Sequence, residues 1–402
     1  MTVSDADLTA VLEAARPIEL LAELVRIPSH PGLEHQEEAV VQALARYLTD
    51  AGLSPVVEEV VAGRPNLLCT VEGAAPGPHL LLCGHTDTVP LNATDAGVGF
   101  SGEIRDGRLE GRGAVDMKGA VAAMAATLVG LARSGSLPAG RVTLAAVIDE
   151  EIESLGAEHL IASGFAADGA IVGEPSENRL CLGHKGLEWL EIVFRGRAAH
   201  GGTPAAGINA IDAAALFVHA VRTRLVPRFA GRADPLIGPP TINFGTILGG
   251  DQPSTVADRC RLTCDRRSVP GETYASVCRE LEELLAEVRD TMPSLATELR
   301  RMPGGMATLE HVALRTADDE PIAVAAASAW QQVRGAAPES AAFPAWTDGA
   351  LLAAFGNIPT VIMGPGDITL AHSPREAVPV AEVVEAAELY ARTAIEFVAG
   401  RQ

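Results

Sequence analysis

Apolar and polar positions follow two registers along the chain. Over 34–51 the apolar residues recur at helical spacing and Gly52 supplies the stop, whereas 55–61, 66–71 and 79–83 are apolar or alternating runs bounded by turn residues and read as strands. A Gly/Asp-rich stretch from Asn92 to Gly113 leads into a helix over 117–133, a buried strand over 141–148 and a short strand at 169–172. Helices set between apolar strands predict an α/β layer, a mostly parallel sheet with helices on both faces. After Leu182 the period changes. Strands at 187–195, 241–248, 260–266 and 295–301 and helices at 209–224 and 272–289 give a βαββαβ order, expected to stand as an inserted α+β domain. A strand at 359–363 and a helix at 380–398 then return to the large sheet. The expected division is 1–182, 183–303 and 304–402, with the first and last parts forming one domain.

Composition narrows the function classes. The formal net charge of −21 over 402 residues, spread along the chain, disfavours nucleic acid and anionic membrane surfaces as partners. Met1–Asp5 has no basic segment leading into an apolar run, and no later stretch offers about 18 uninterrupted apolar residues. A cytoplasmic protein without a membrane partner is expected. The six cysteines lack a close-spaced framework. Cys69, Cys83 and Cys181 lie in strand-like segments and read as reduced, buried thiols, and Cys260 and Cys264 share a strand face without the second pair a thiolate metal site needs. There is no Gly-x-Ser-x-Gly elbow, no Gly-x-Gly-x-x-Gly after a strand and no Walker-type loop, which argues against a serine hydrolase or a nucleotide-binding enzyme.

Candidate chemistry gathers at strand ends. Leu80 to Cys83 run out into Gly84-His85-Thr86-Asp87, with His85 and Asp87 on the same face; Asp87 can accept a ring N–H of His85 and fix its tautomer, or the pair can simply cap a strand end. Asp116, between glycines and ahead of a helix, fits either an N-cap or a carboxylate turned inward. Asp149-Glu150-Glu151 ends a buried strand with crowded like charges, which repel unless a cation compensates them or water solvates the loop. Glu174 and His372 follow apolar strands in Gly/Pro-rich turns. All leave the predicted sheet at carboxyl ends, the edge where open α/β sheets build their sites. Two histidines, two terminal carboxylates and one carboxylate able to bridge make up the donor inventory of a paired-zinc centre, with Glu150 beside it as a base.

In this order, His85-Thr86-Asp87, Asp116-Met117-Lys118-Gly119, Glu150-Glu151, Gly173-Glu174-Pro175 and Ala371-His372 resemble the dinuclear zinc metallopeptidases and deacylases, the family of acetylornithine deacetylase, succinyl-diaminopimelate desuccinylase, aminoacylase and the glutamate carboxypeptidases. The resemblance covers nearly the whole chain. It implies that His85 and Glu174 hold one Zn2+, that Glu151 and His372 hold the other, and that Asp116 bridges them, with Co2+ or Mn2+ as substitutes. It also implies that Asp87 orients His85, that Glu150 acts on the water, and that a cis peptide follows Asp116. The inserted domain becomes a lid that also forms a homodimer. His200, within Ala199-His200-Gly201-Gly202, becomes a catalytic donor reaching a neighbouring active site, and Arg267 in Asp265-Arg266-Arg267-Ser268 the partner of a substrate carboxylate, with Asn243 and Gly364 as further substrate contacts. The expected reaction is hydrolysis of the amide of a small N-acyl amino acid, with dipeptidase or carboxypeptidase activity as the alternative within the family and a zinc-containing binding protein without catalysis as the alternative outside it.

Two departures bear on specificity. Where many members carry asparagine after the lid's glycine pair, this chain has Gly249-Gly250-Asp251. Trp346-Thr347-Asp348-Gly349 resembles a substrate-side loop in which Trp346 serves either binding or packing, while Trp189 and Trp330 are expected to be structural.

Overall fold

The computed structural model describes residues 5–92, 99–302 and 309–400. The first four residues, part of the glycine-rich stretch after Asn92, and the expected division at 303/304 therefore lie outside the described residues. The chain forms two compact units. The larger takes Met1–Gly183, Arg315–Phe343 and Thr347–Gln402, and the smaller His184–Leu314 and Pro344–Trp346.

In the larger unit, helices α1 (Asp5–Ala14), α2 (Pro17–Val25) and α3 (Glu38–Asp50) precede strands β1 (Val56–Val61), β2 (Arg64–Glu72) and β3 (His79–His85). There follow β4 (Glu103–Arg105), β5 (Arg108–Glu110), α4 (Gly119–Ser134), β6 (Arg141–Val147), α5 (Leu155–Ala162), β7 (Gly169–Val172) and β8 (Cys181–His184). The smaller unit contributes β9 (Glu188–Arg195), α6 (Ala210–Ala220), β10 (Thr241–Gly249), β11 (Arg259–Arg267), α7 (Tyr274–Thr291) and β12 (Ala296–Arg301). The chain returns through β13 (Leu314–Arg315), α8 (Pro321–Arg334), β14 (Ala341–Ala342), α9 (Gly349–Ala354), β15 (Thr360–Ile362), β16 (Ala377–Pro379) and α10 (Val380–Ala399).

The large sheet runs β1-β2-β6-β3-β7-β15-β8-β13, with β14 beside β8. Its centre, β6-β3-β7-β15, is parallel throughout, in register Leu80↔Val142, Leu80↔Gly169 and Thr360↔Ala170. All seven residues of β3 are buried, as expected of a strand covered on both faces, where apolar runs replace alternation. Helices α4, α8 and α10 pack together on one face and α5 with α9 on the other. With the turn before it, α4 is long and apolar enough to cross a membrane, but its apolar window is wholly buried, so it is a core helix. A separate three-stranded sheet, β16-β5-β4, joins the end of the chain to the segment before Asp116.

The smaller unit is a four-stranded antiparallel sheet, β10-β11-β9-β12, packed with α6 and α7 around Leu190, Ile192, Phe194, Phe217, Leu281 and Leu285. Its element order is the βαββαβ that the alternating pattern predicts.

Several boundaries shift for identifiable reasons. The first amphipathic helix begins at Glu38 rather than 34, because His35 sits at φ 53. The helix expected over 117–133 begins at Gly119, after a wide turn at Ala114–Lys118 entered from Gly113 at φ 84. The helix expected over 209–224 has Asn209 as its N-cap, the side-chain oxygen accepting from Ile211 N–H. The one expected over 272–289 begins after Thr273, whose hydroxyl and that of Ser276 form a reciprocal capping box.

Candidate metal centre

Four neighbouring parallel strands deliver the site. His85 is the last residue of β3, Glu150 and Glu151 follow β6, Glu174 follows β7 and His372 follows β15, all at the carboxyl edge. The turn ahead of α4 supplies Asp116. The Asp116–Met117 peptide is cis. Asp116 caps no helix, for the residue at the N-cap of α4 is Lys118 and no side chain caps there.

Asp116 instead divides its two oxygens. Oδ1 lies 3.1 Å from His85 Nε2 and Oδ2 lies 3.2 Å from His372 Nε2. Glu174 Oε1 stands 3.8 Å from His85 Nε2, and Glu151 Oε1 stands 3.0 Å from His372 Nε2. Two donor groups thus share one carboxylate: His85, Asp116 and Glu174, then Asp116, Glu151 and His372, with the donor atoms of each group within 4.8 Å of one another. His85 and Glu174 are buried, while His372 is half exposed at φ 56.

Asp87 supports this arrangement in a way only partly expected. The closer acceptor for His85 Nδ1 is the Asp87 backbone carbonyl at 3.0 Å, with the carboxylate at 3.4 Å. The carboxylate's other task is to accept the backbone N–H groups of Glu150 and Glu151, at 3.2 and 3.1 Å. One residue thereby holds Nδ1 as an N–H donor, so that Nε2 is the nitrogen a metal ion could take in place of its proton, and sets the turn carrying two acids.

The electrostatics are those of a site short of positive charge. Burial pushes Glu150 and Glu174 well above the carboxylate range, with Glu174 adding to the effect on Glu150 and Asp116 to that on Glu174, and burial together with Asp116 raises Glu151. Asp348 is also buried and is pushed up to about 7, chiefly by burial. Among the described residues no arginine or lysine pairs with Glu150, Glu151 or Glu174. The compensating charge resides on the imidazoles. Burial disfavours the charged form of His85, but its bonds to Asp116 and Asp87 outweigh this and raise it, and His372 is raised to about 10 by Asp116 and Glu151. Burial opposes ionisation of Asp116, yet the two histidines hold it below the usual range. Crowded carboxylates facing imidazole nitrogens fit a pair of divalent cations, each able to replace the proton on one Nε2, and the His/carboxylate donor set suits zinc or a similar metal.

Two supports were not legible in the sequence. Arg64 bonds both Glu37 oxygens, at 2.8 and 2.6 Å, and Asp149 Oδ1 at 2.6 Å, anchoring the Asp149–Glu151 turn. Asp149 is a left-handed residue at φ 69 whose carbonyl accepts the N–H groups of Ile152, Glu153 and Ser154. Glu376 binds the Asp116 turn. Its place four residues after His372 was the only signal, and it does not reveal what the carboxylate touches.

The residues expected at the substrate have the following surroundings in the protein. Gly364 has its N–H donated to Ser176 Oγ and its carbonyl accepting from Ser176 and Asn178 N–H, and a Cβ there would meet the Gly173 carbonyl oxygen at 1.9 Å. It is a close-packing glycine behind the Glu174 turn. In the smaller unit, Arg267 closes its guanidinium on Asp265 at 2.7 and 3.0 Å rather than standing open. Asn243 and His200 are exposed there, and His200 Nδ1 accepts from Gly202 N–H. Trp346 packs: its ring stacks on His311 at 3.9 Å and its N–H donates to the Val312 carbonyl. Trp189 is no core residue, being 41% exposed with its N–H on Asp265. Cys69, Cys83, Cys181, Cys260 and Cys264 are buried and free, and burial raises their thiols, so they stay protonated.

Known proteins resemble the chain along most of its length. Residues 81–396 match the model of Peptidase family M20/M25/M40. A protein of Proteus mirabilis named acetylornithine deacetylase is 31% identical over 389 residues, covering 92% of this chain and 94% of that protein. Among solved structures, aminopeptidase PepT from Bacillus cereus superposes with a TM-score of 0.78 at 24% identity, covering 96% of this chain and 98% of that one. The Bacillus subtilis YXEP protein, described as a dinuclear metal binding peptidase, superposes with a TM-score of 0.72 at 17% identity, covering 98% and 99%. With a family match over more than three quarters of its residues and this parallel-sheet fold beside a separate antiparallel sheet, the chain belongs to Peptidase family M20/M25/M40, metal-dependent hydrolases of amide bonds.

Proposed function

We propose that this protein is a dinuclear zinc deacylase that hydrolyses the amide of a small N-acyl amino acid, with acetylornithine the first substrate to test. The observation that carries the reading is the sharing of Asp116 between two donor groups, one oxygen directed at each histidine. The name of the Proteus mirabilis relative supports the choice of substrate. His85 and Glu174 would hold one ion, Glu151 and His372 the second, and Asp116 both. When bound, such ions supply Lewis acidity and lower the pKa of water.

The protein's own part follows from Glu150. Its carboxylate takes no hydrogen bond from any described residue, and burial with Glu174 nearby raises its proton affinity. It takes a proton from the attacking water and passes that proton to the departing amine, so base and acid are one residue. Asp87 holds His85 in one tautomer and fixes the turn on which Glu150 sits. His200 is proposed as an oxyanion donor and Arg267 and Asn243 as substrate contacts; losing a donor of that kind costs about 100- to 1000-fold in rate, which His200→Ala tests by its kcat. A homodimer built through the smaller unit and a cytoplasmic location complete the proposal.

The test is hydrolysis of N-acetyl and N-succinyl amino acids and dipeptides by the zinc-loaded protein and by the chelated protein. Metal-dependent release of amine from an N-acyl amino acid, fastest among the panel, is the expected result. Preference for dipeptides would move the protein to the peptidases, and silence on every substrate with both ions bound would make it a binding protein.

A further inference from the structure

Glu376 has no place in the chemistry described above, yet it is 1% exposed and among the most heavily bonded carboxylates in the larger unit. Its Oε1 accepts three backbone N–H groups of the Asp116 turn: Gly113 at 2.8 Å, Val115 at 3.2 Å and Asp116 at 3.3 Å, while Ala114 N–H between them goes to the Gly111 carbonyl. Its Oε2 accepts from Arg112 Nη1, which is itself buried. Neighbouring N–H groups converging on one anion form a nest-like cradle, and here the anion is supplied from within the chain.

The main chain of the same residue is engaged as well. Its carbonyl accepts from Gly111 N–H at 3.1 Å, and from Ala377 onward the chain pairs with β5, Ala377↔Glu110 through Pro379↔Arg108. Residues 108–116 and 376–379 are therefore fastened together at every step, and His372 lies one short turn upstream, with Glu376 N–H directed at the Ser373 carbonyl at 3.4 Å. The two loops that must meet at Asp116 Oδ2 and His372 Nε2 are joined by this main-chain pairing, and the Glu376 side chain carries the link on to the Asp116 turn itself.

We propose that Glu376 is a positioning residue of the metal centre: its carboxylate, seated on the Asp116 turn and paired with Arg112, aims the Asp116 oxygens and ties that turn to the loop bearing His372. The inference rests on the paired-metal reading of the site. Removing the carboxylate leaves the N–H groups of Gly113, Val115 and Asp116 without their buried acceptor, and the turn must move to satisfy them. A carboxylate that serves two ions tolerates little displacement. Loss of outer partners of this kind typically weakens metal binding about 10- to 100-fold.

The experiment titrates metal-free wild type and two variants that keep no acceptor for the turn, Glu376→Leu and the double variant Glu376→Leu/Arg112→Met, with Zn2+ by calorimetry and with Co2+ by its visible absorption. The double variant removes both buried charges, so no unpaired arginine remains, and it supplies the measurement if the single variant does not fold. Wild type taking up two ions, with both variants folded but binding about 10- to 100-fold more weakly and showing an altered Co2+ spectrum, is the expected result. Two ions bound at wild-type affinity by either variant would overturn the role of Glu376 and leave the metal reading intact. Wild type taking up no pair of ions would overturn both.

Discussion

At the scale of single residues, burial and neighbouring charge set the acids of the proposed centre apart. Asp116 is held ionised by two imidazoles, whereas Glu150, close by, gains proton affinity from burial and from Glu174. Replacing Glu150 by Ala should therefore leave the uptake of two ions unchanged while lowering kcat by about 100- to 10,000-fold, the usual contribution of a positioned acid–base group. Full turnover in that variant, measured at saturating substrate, would remove Glu150 from the mechanism. Arg64 makes a second prediction. It neutralises Glu37 and Asp149, both nearly inaccessible, so Arg64→Met strands two buried carboxylates and should cost about 3–5 kcal/mol in denaturant unfolding. A loss below about 1 kcal/mol would mean that water reaches this cluster.

At the scale of elements, what could be read depended on period and on range. The smaller unit was legible because Leu190, Ile192 and Phe194 alternate along β9 toward one core and the helices between strands keep a clear amphipathic stripe. The strands leading to His85, Glu151 and Glu174 were legible because strands buried on both faces are almost continuously apolar. The helix α8 was not, since its Ala-rich stretch offers little contrast between faces. The turn at Asp116 does not by itself tell its role, which the sequence yields only through the family resemblance: an acid ahead of a helix looks the same as a cap until the chain's far end supplies His372 and Glu376. Arg64 with Asp149 and Arg112 with Glu376 are 85 and 264 positions apart, and no local pattern encodes such pairs. Where the local code is explicit, its worth can be measured. Thr273 and Ser276 exchange bonds at the start of α7, and Thr273→Ala should lower the stability of the smaller unit by about 1 kcal/mol, whereas Thr273→Ser should restore it. Equal stability of the alanine and wild-type proteins in urea titrations would show that packing of α7 alone fixes its start.

At the scale of the whole molecule, both units bury neutral histidines, and this sets the acid limit of stability. His79 in the larger unit and His184 and His311 in the smaller are lowered to about 4, in each case mainly by burial. A histidine whose folded pKa lies below its unfolded value favours the native state fully above about pH 6.5. That contribution is lost as pH falls from about 6.5 toward 4, because only the unfolded chain takes the proton. Each group can remove up to about 3 kcal/mol over this interval. Unfolding midpoints followed from pH 7 to pH 4.5 should fall steeply, and the fall should lessen in His79→Gln; a flat profile would show that these rings are protonated in the native state. In the larger unit, Asp116 joins two donor groups into one centre. Its most direct test is the stoichiometry and affinity of Zn2+ for the metal-free protein and for Asp116→Ala. Two ions bound by wild type, and loss of tight binding at both positions on removal of this single carboxylate, is the predicted result; two ions held by Asp116→Ala as tightly as by wild type would contradict it.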